Sequence, residues 1–180
     1  MYDKQAWERC VAFHGHACPG LAIGFKAVEA AIAELALPGD VTSSDEELVC
    51  ITENDACSVD AVQCLLSCTY GKGNLIPRLR GKMAFSFFIR GTQKRVRVCL
   101  KSGIGNGMTR EEEQQYILEA PYTELFTVQE PSYALPEEAR IFRSAKCAIC
   151  GESTGEYALR VMDGQLVCLD CYDPYQREGF

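Results

Sequence analysis

The chain has 180 residues, 47% of them hydrophobic, with 25 acidic against 18 basic side chains and a formal net charge of −7. That length builds one ordinary core plus a small appended module. The acidic balance, without a long Lys/Arg run, disfavours a nucleic-acid partner, and no apolar run approaches the roughly 18 residues needed to span a bilayer.

The first residues, "MYDKQAWERC", mix acids and bases and lack the continuous apolar stretch of a secretory signal, so a cytoplasmic location is expected. Eleven cysteines in such a compartment point to metal or thiol chemistry rather than to a disulfide framework. Both histidines of the chain, His14 and His16, fall with Cys18 in "FHGHACPG". Directly after it Leu21, Phe25, Val28, Ile32 and Leu35 recur at helical spacing and predict an amphipathic helix. Pro19 suits the first helical position, where its missing N–H costs nothing, which makes Cys18 the cap. A thiol there feels the positive end of the helix dipole and is favoured as thiolate.

Leu48 to Thr52 reads as a short buried strand, and "ENDAC" turns from its end into a helix over roughly Val59 to Cys68. Cys57, Ala61, Cys64 and Cys68 follow one stripe of that helix. For Cys64 and Cys68 the plain reading is a small core hydrophobe. Cys57 differs, because it sits at the helix mouth beside Asp55 and Asp60. "YGKGNL" then presents Lys72 between two glycines, without the strand, loop and helix order of a phosphate-binding loop. "KMAFSFFIR" and "KRVRVCLK" read as an antiparallel hairpin through "GTQ", with Val96, Val98 and Leu100 on one face. "TREEEQQYIL" carries a capping box of Thr109 and Glu112, and "YTELFTV" is a last candidate strand. The predicted fold class is α+β, a mixed or antiparallel sheet packed with helices.

The polar, proline-bearing stretch "QEPSYALPEEARIFRSAK" suggests a boundary, with a core over residues 1–135 and a finger over 136–180. In the finger, Cys147 and Cys150 form one C-x-x-C knuckle and Cys168 and Cys171 another, with seventeen residues between them. Four thiolates so spaced predict a closed structural zinc site in a treble clef or ribbon; iron is the other metal that suits four thiolates. The segment between has a hairpin pattern with an "MDGQ" turn. Any helix closing a treble clef must be very short, since only nine residues follow Cys171 and Pro174 is among them.

In order, "FHGHACPGLAIG", "ENDACSVDAVQ", "CTYGKGNL" and "GKMAFSF" resemble the FmdE family, named for a component of formylmethanofuran dehydrogenase, across about Phe13 to Val98. Some members of that family also carry a C-terminal treble-clef zinc finger. The resemblance implies an α+β core, a homodimer, and a core metal site made by His16, Cys18 and Cys57. It makes His14, Asp60 and Lys72 candidates for catalysis and Gln63 a candidate for contact with a cofactor. Imidazole and thiols arriving at two helix starts make a borderline-soft pocket suited to zinc or another transition metal. Two further readings stand beside this one: the histidines are ordinary polar loop residues, or Cys18 or Cys57 is a metal-free nucleophile with a histidine as base.

Two functions follow as expectations. One is a metal-dependent enzyme on a small molecule, related to the molybdenum/tungsten oxidoreductase of one-carbon metabolism that gives the family its name. The other is a non-catalytic module that binds or delivers a metal or pterin-type cofactor to a molybdenum/tungsten enzyme partner.

Overall fold

The structure, a computed structural model, describes residues 3–175. The chain divides into two compact units, with the boundary between Glu138 and Ala139.

The first unit opens with a helix, α1 (Lys4–His14), whose N-cap Asp3 accepts from the amides of Gln5 and Ala6. Gly15 ends it in the left-handed region at φ 93°, which a glycine adopts without strain. Helix α2 (Pro19–Glu34) starts where expected, with Pro19 in its first turn and Cys18 as cap. Trp7 of α1 meets Phe25 of α2 edge to face at 5.7 Å, a favoured geometry for two aromatic quadrupoles. The remaining elements of this unit are β1 (Leu48–Thr52), α3 (Ser58–Leu66), β2 (Leu75–Pro77), β3 (Ala84–Ile89), β4 (Arg95–Leu100), α4 (Arg110–Glu119), α5 (Tyr122–Leu125) and β5 (Phe126–Gln129). The capping box of Thr109 and Glu112 on α4 is complete.

Five strands form one mixed sheet in the order β2-β1-β3-β4-β5, parallel only between β1 and β2. The fold is α+β. Alternation along β3 sends Phe85 and Phe87 into the helix-covered core and Phe88 to the other face. There Tyr133 and Leu135, from the segment after β5, pack on Val49, Ile51 and Phe88. Burying a phenylalanine is worth roughly 1.5–3 kcal/mol, and Phe85, Phe87 and Phe126 are all buried in this core.

"YTELFTV" differs from the expected strand in its first half. Pro121 has its ring-fixed φ of −63° and the amide of Glu124 donates to its carbonyl, which closes one helical turn before β5 begins. The helix expected to reach Cys68 ends at Leu66, because Ser67 takes the left-handed region at φ 54°.

The second unit is two hairpins, β6 (Ser144–Lys146) with β7 (Ser153–Gly155), and β8 (Leu159–Met162) with β9 (Gln165–Cys168). Asp163 and Gly164 both have positive φ, 49° and 77°, the signature of the two-residue turn that matches strand twist. No helix follows Cys171 among the described residues, which run to Tyr175. No described helix is long and apolar enough to cross a membrane.

Candidate metal centres

The finger is the simpler of two metal-competent clusters. The sulfurs of Cys147, Cys150, Cys168 and Cys171 lie within 4.8 Å of one another. Cys150 and Cys168 are 3.9 Å apart, against an edge of about 3.8 Å for a tetrahedron of sulfurs at the zinc–thiolate distance. Each knuckle is closed by its own backbone: the Gly151 amide donates to the Cys147 carbonyl, and that of Cys171 to the Cys168 carbonyl. The Cys168 amide donates to the Cys147 sulfur at 3.4 Å. That N–H, followed by the one of Cys150, brings the Cys147 thiol down to about 6.

In the core, His14, Cys18 and Cys57 converge within the same 4.8 Å. The three donors come from three helix ends. His14 is the last residue of α1, Cys18 caps α2 and Cys57 caps α3. The Leu21 amide donates to the Cys18 sulfur at 3.3 Å, which is the predicted dipole-facing thiol position. His14 Nε2 stands 3.9 Å from that sulfur, near the roughly 3.6 Å expected for N and S donors on one tetrahedral zinc. The other ring nitrogen, Nδ1, pairs with Asp60 Oδ2 at 2.6 Å, and Gln63 Nε2 donates to Asp60 Oδ1 at 3.1 Å. Asp60 thereby orients the imidazole, as carboxylates do for histidine ligands of metals.

Glycines make the convergence sterically feasible. A Cβ on Gly20 would sit 3.2 Å from the Cys57 Cβ and 3.8 Å from its sulfur. A Cβ on Gly24 would be 2.0 Å from the Ser58 carbonyl oxygen, so α2 and α3 meet backbone to backbone. The approach of α3 is fixed from the other side by Asn54, whose Oδ1 accepts from the Ala56 amide and the Ser58 hydroxyl. Burial, reinforced by the neighbouring Cys18 thiol, pushes the Cys57 thiol up, which is the reason such a pair gains from a cation between its sulfurs. One imidazole and two thiols are a donor set that fits zinc, three of its four positions being supplied by the described residues.

The predicted site residues are thus distributed unequally. His14, Cys18, Cys57, Asp60 and Gln63 come together. His16 is exposed and outside the donor group, its ring 4.4 Å from that of His14, because the left-handed turn at Gly15 carries the chain away from the pocket. Lys72 lies beyond the far end of α3, where its Nζ donates to the Ser43 carbonyl at 2.6 Å. Cys68 is buried and donates to the Leu48 carbonyl, and Cys64 packs on the core, in keeping with small hydrophobes. Sequence reasoning missed α1, Asn54 and both glycine contacts. Asp3, four residues before Trp7, was the available cue for α1.

The FmdE model, described as molybdenum formylmethanofuran dehydrogenase operon, matches residues 13–127. The chain belongs to the FmdE family. Residues 140–177 match the prokaryotic dksA/traR C4-type zinc finger, so the four cysteines of the second unit form a zinc finger. The crystal structure of a tungsten formylmethanofuran dehydrogenase FmdE-like protein from Syntrophus aciditrophicus resembles this FmdE chain with a TM-score of 0.70 and 25% identity. That likeness covers 93% of this chain and 90% of the other. A protein of Archaeoglobus fulgidus described as a probable S-adenosyl-L-methionine-binding protein is 31% identical over 93% of this chain. The chain spans about half, 52%, of that relative's length.

Proposed function

We propose that the protein is a metal-dependent enzyme acting on a small molecule, with His14, Cys18 and Cys57 as the protein ligands of its core metal. The observation that carries this reading is the His14 pairing: Nδ1 is committed to Asp60 while Nε2 faces the Cys18 sulfur. A metal held by three protein donors supplies Lewis-acid chemistry and a coordination position for substrate. The chain's own residues provide the setting. Asp60 holds the imidazole in the tautomer whose Nε2 lone pair is free, and Gln63 holds Asp60. Asp60 also borders a cleft of roughly 320 Å³, with Asn54, Asp55, Val59, Leu75 and Leu79 among its other walls. That volume accepts a small organic molecule, and the exposed Asp55 is part of its rim.

A second reading, delivery of a metal or pterin-type cofactor to a molybdenum/tungsten enzyme, draws on the description of the family model, which names that operon. The archaeal relative's description makes S-adenosylmethionine a further ligand to test.

Metal content of full-length wild type and Cys57→Ser separates core from finger. Two metals per chain falling to one are expected, and two metals retained by the variant would remove Cys57 from the ligand set. In cobalt-loaded protein, an exogenous ligand such as acetohydroxamate should change the visible spectrum through the open position. A spectrum indifferent to added ligands, with core metal passing readily to an apo-acceptor protein, would favour delivery.

A further inference from the structure

The sheet face turned away from the helices carries a second cleft, of roughly 330 Å³, whose walls include Glu53, Arg78, Arg80, Lys82, Arg97 and Tyr133. In a chain of net charge −7, four cations against one carboxylate is an anomalous concentration. Glu53 is 2% exposed and is used up by one of them: Arg97 Nε and Nη2 donate to its two oxygens at 2.7 and 3.0 Å. Among the described residues, Arg78, Arg80 and Lys82 have no carboxylate within 4.0 Å.

Backbone hydrogen bonds fix the main chain that carries these three cations, and the Arg80 guanidinium donates to the Leu79 carbonyl at 2.8 Å. The Arg78 amide donates to the Thr52 carbonyl, and the amides of Arg80 and Lys82 both donate to that of Glu53. The Arg78 guanidinium carbon lies 4.4 Å from the Tyr133 ring centroid, and the Tyr133 hydroxyl donates to Ser86 Oγ at 2.8 Å. Arg78 is thus supported on one plane, while its N–H edges make no hydrogen bond among the described residues. Like charges converging in a concave site repel one another, and an oxyanion among them relieves that repulsion through charge-assisted hydrogen bonds. Guanidinium forks match the oxygens of phosphate and carboxylate.

We propose that this cleft binds the phosphate or carboxylate end of a small organic anion, through Arg78, Arg80 and Lys82, with the Glu53–Arg97 pair as its floor. The site is separate from the His14, Cys18 and Cys57 cluster and does not rest on the reading of that cluster.

The test is calorimetric titration of the full-length protein at low ionic strength with glycerol 3-phosphate and, separately, with succinate. One saturable site is expected, weakened roughly tenfold or more by R80Q/K82Q and unchanged in R110Q, which removes an exposed cation of α4. Preference for the phosphate would assign a phosphoryl group, and preference for succinate a carboxylate. Nitrogen-edited NMR of the wild type offers a measurement without a variant, since arginine Nε–H resonances should shift along the same isotherm. The proposal is overturned by the absence of saturable binding at millimolar ligand or by equal affinity in R80Q/K82Q. Equal loss in R110Q, or tighter binding of a single-stranded oligonucleotide than of either small anion, would overturn it as well.

Discussion

The two cysteine clusters use the same ligand atom on opposite kinds of scaffold. In the finger, four sulfurs lie within 4.8 Å of one another, and the buried cluster among the described residues is Cys147, Val167 and Cys168, two of them ligand cysteines themselves. In the core, three donors protrude from helix ends that are already packed, with Leu21, Ala22, Ala61 and Val62 essentially inaccessible behind them. A closed site on a minimal core makes the metal part of folding. An incomplete donor set on a finished core would leave a bound metal with a position open to another ligand. The contrast also separates two meanings of a buried thiol: one awaits a cation, whereas Cys10 and Cys68, pushed up to about 12 mainly by burial, serve as packing.

The sharpest way to break this comparison is to remove metal from the finger alone. Replacing Cys168 and Cys171 by serine should abolish the finger, on the order of 10–16 kcal/mol of metal-linked folding free energy. Amide NMR should show finger resonances collapsing and core resonances unmoved; persistence of dispersed finger resonances would refute metal-dependent folding.

Next in size, Glu53→Gln removes the buried carboxylate from the half-buried Arg97 and should cost the core about 1.5–3 kcal/mol in denaturant unfolding, with the finger's metal retained. The same pair gives an acid signature. Arg97, with desolvation opposing, holds the Glu53 carboxyl below its ordinary 4.5. A depressed carboxyl contributes stability that is complete above the unfolded pKa and is lost as pH falls through the lower folded value. Wild-type core should therefore lose stability below about pH 4.5 more steeply than the Gln variant; equal slopes would contradict the pairing.

The smallest effect concerns how the core imidazole is held. Asp60→Asn should weaken core metal binding about 10–100-fold, read by chelator competition, while His16→Ala leaves it unchanged. Equal losses in the two variants would return His16 to the donor set.

How much of this was legible in the residues depends on how local each cause is. Helix α2 and strand β1 were visible because their determinants are contiguous: Pro19 after Cys18, and five buried residues from Leu48 to Thr52. The finger was visible for the same reason, as two short knuckles at fixed spacing. The choice of His14 over His16 as partner of Cys18 and Cys57 was not, because it depends on the one-residue turn at Gly15 and on Asp60, 46 positions away. Lys72 follows the same rule: its partner, the Ser43 carbonyl, is 29 residues upstream. The basic cleft joins Arg97, from a stretch that reads as a basic but alternating strand, to Arg78, Arg80 and Lys82 from the short segment after β2, and only the fold brings the two segments together.

The contact at Gly24 bears on how the core centre can change. Helices usually meet through side chains, and a new rotamer or an added methyl then alters their separation by degrees. Here Gly24 lies against the Ser58 main chain, so the crossing of α2 and α3 just behind the Cys18 and Cys57 helix starts is a backbone contact. No repacking of neighbours can widen or narrow that crossing in small steps. A change in what this donor group can hold would therefore come from exchanging donors rather than from shifting the helices that carry them.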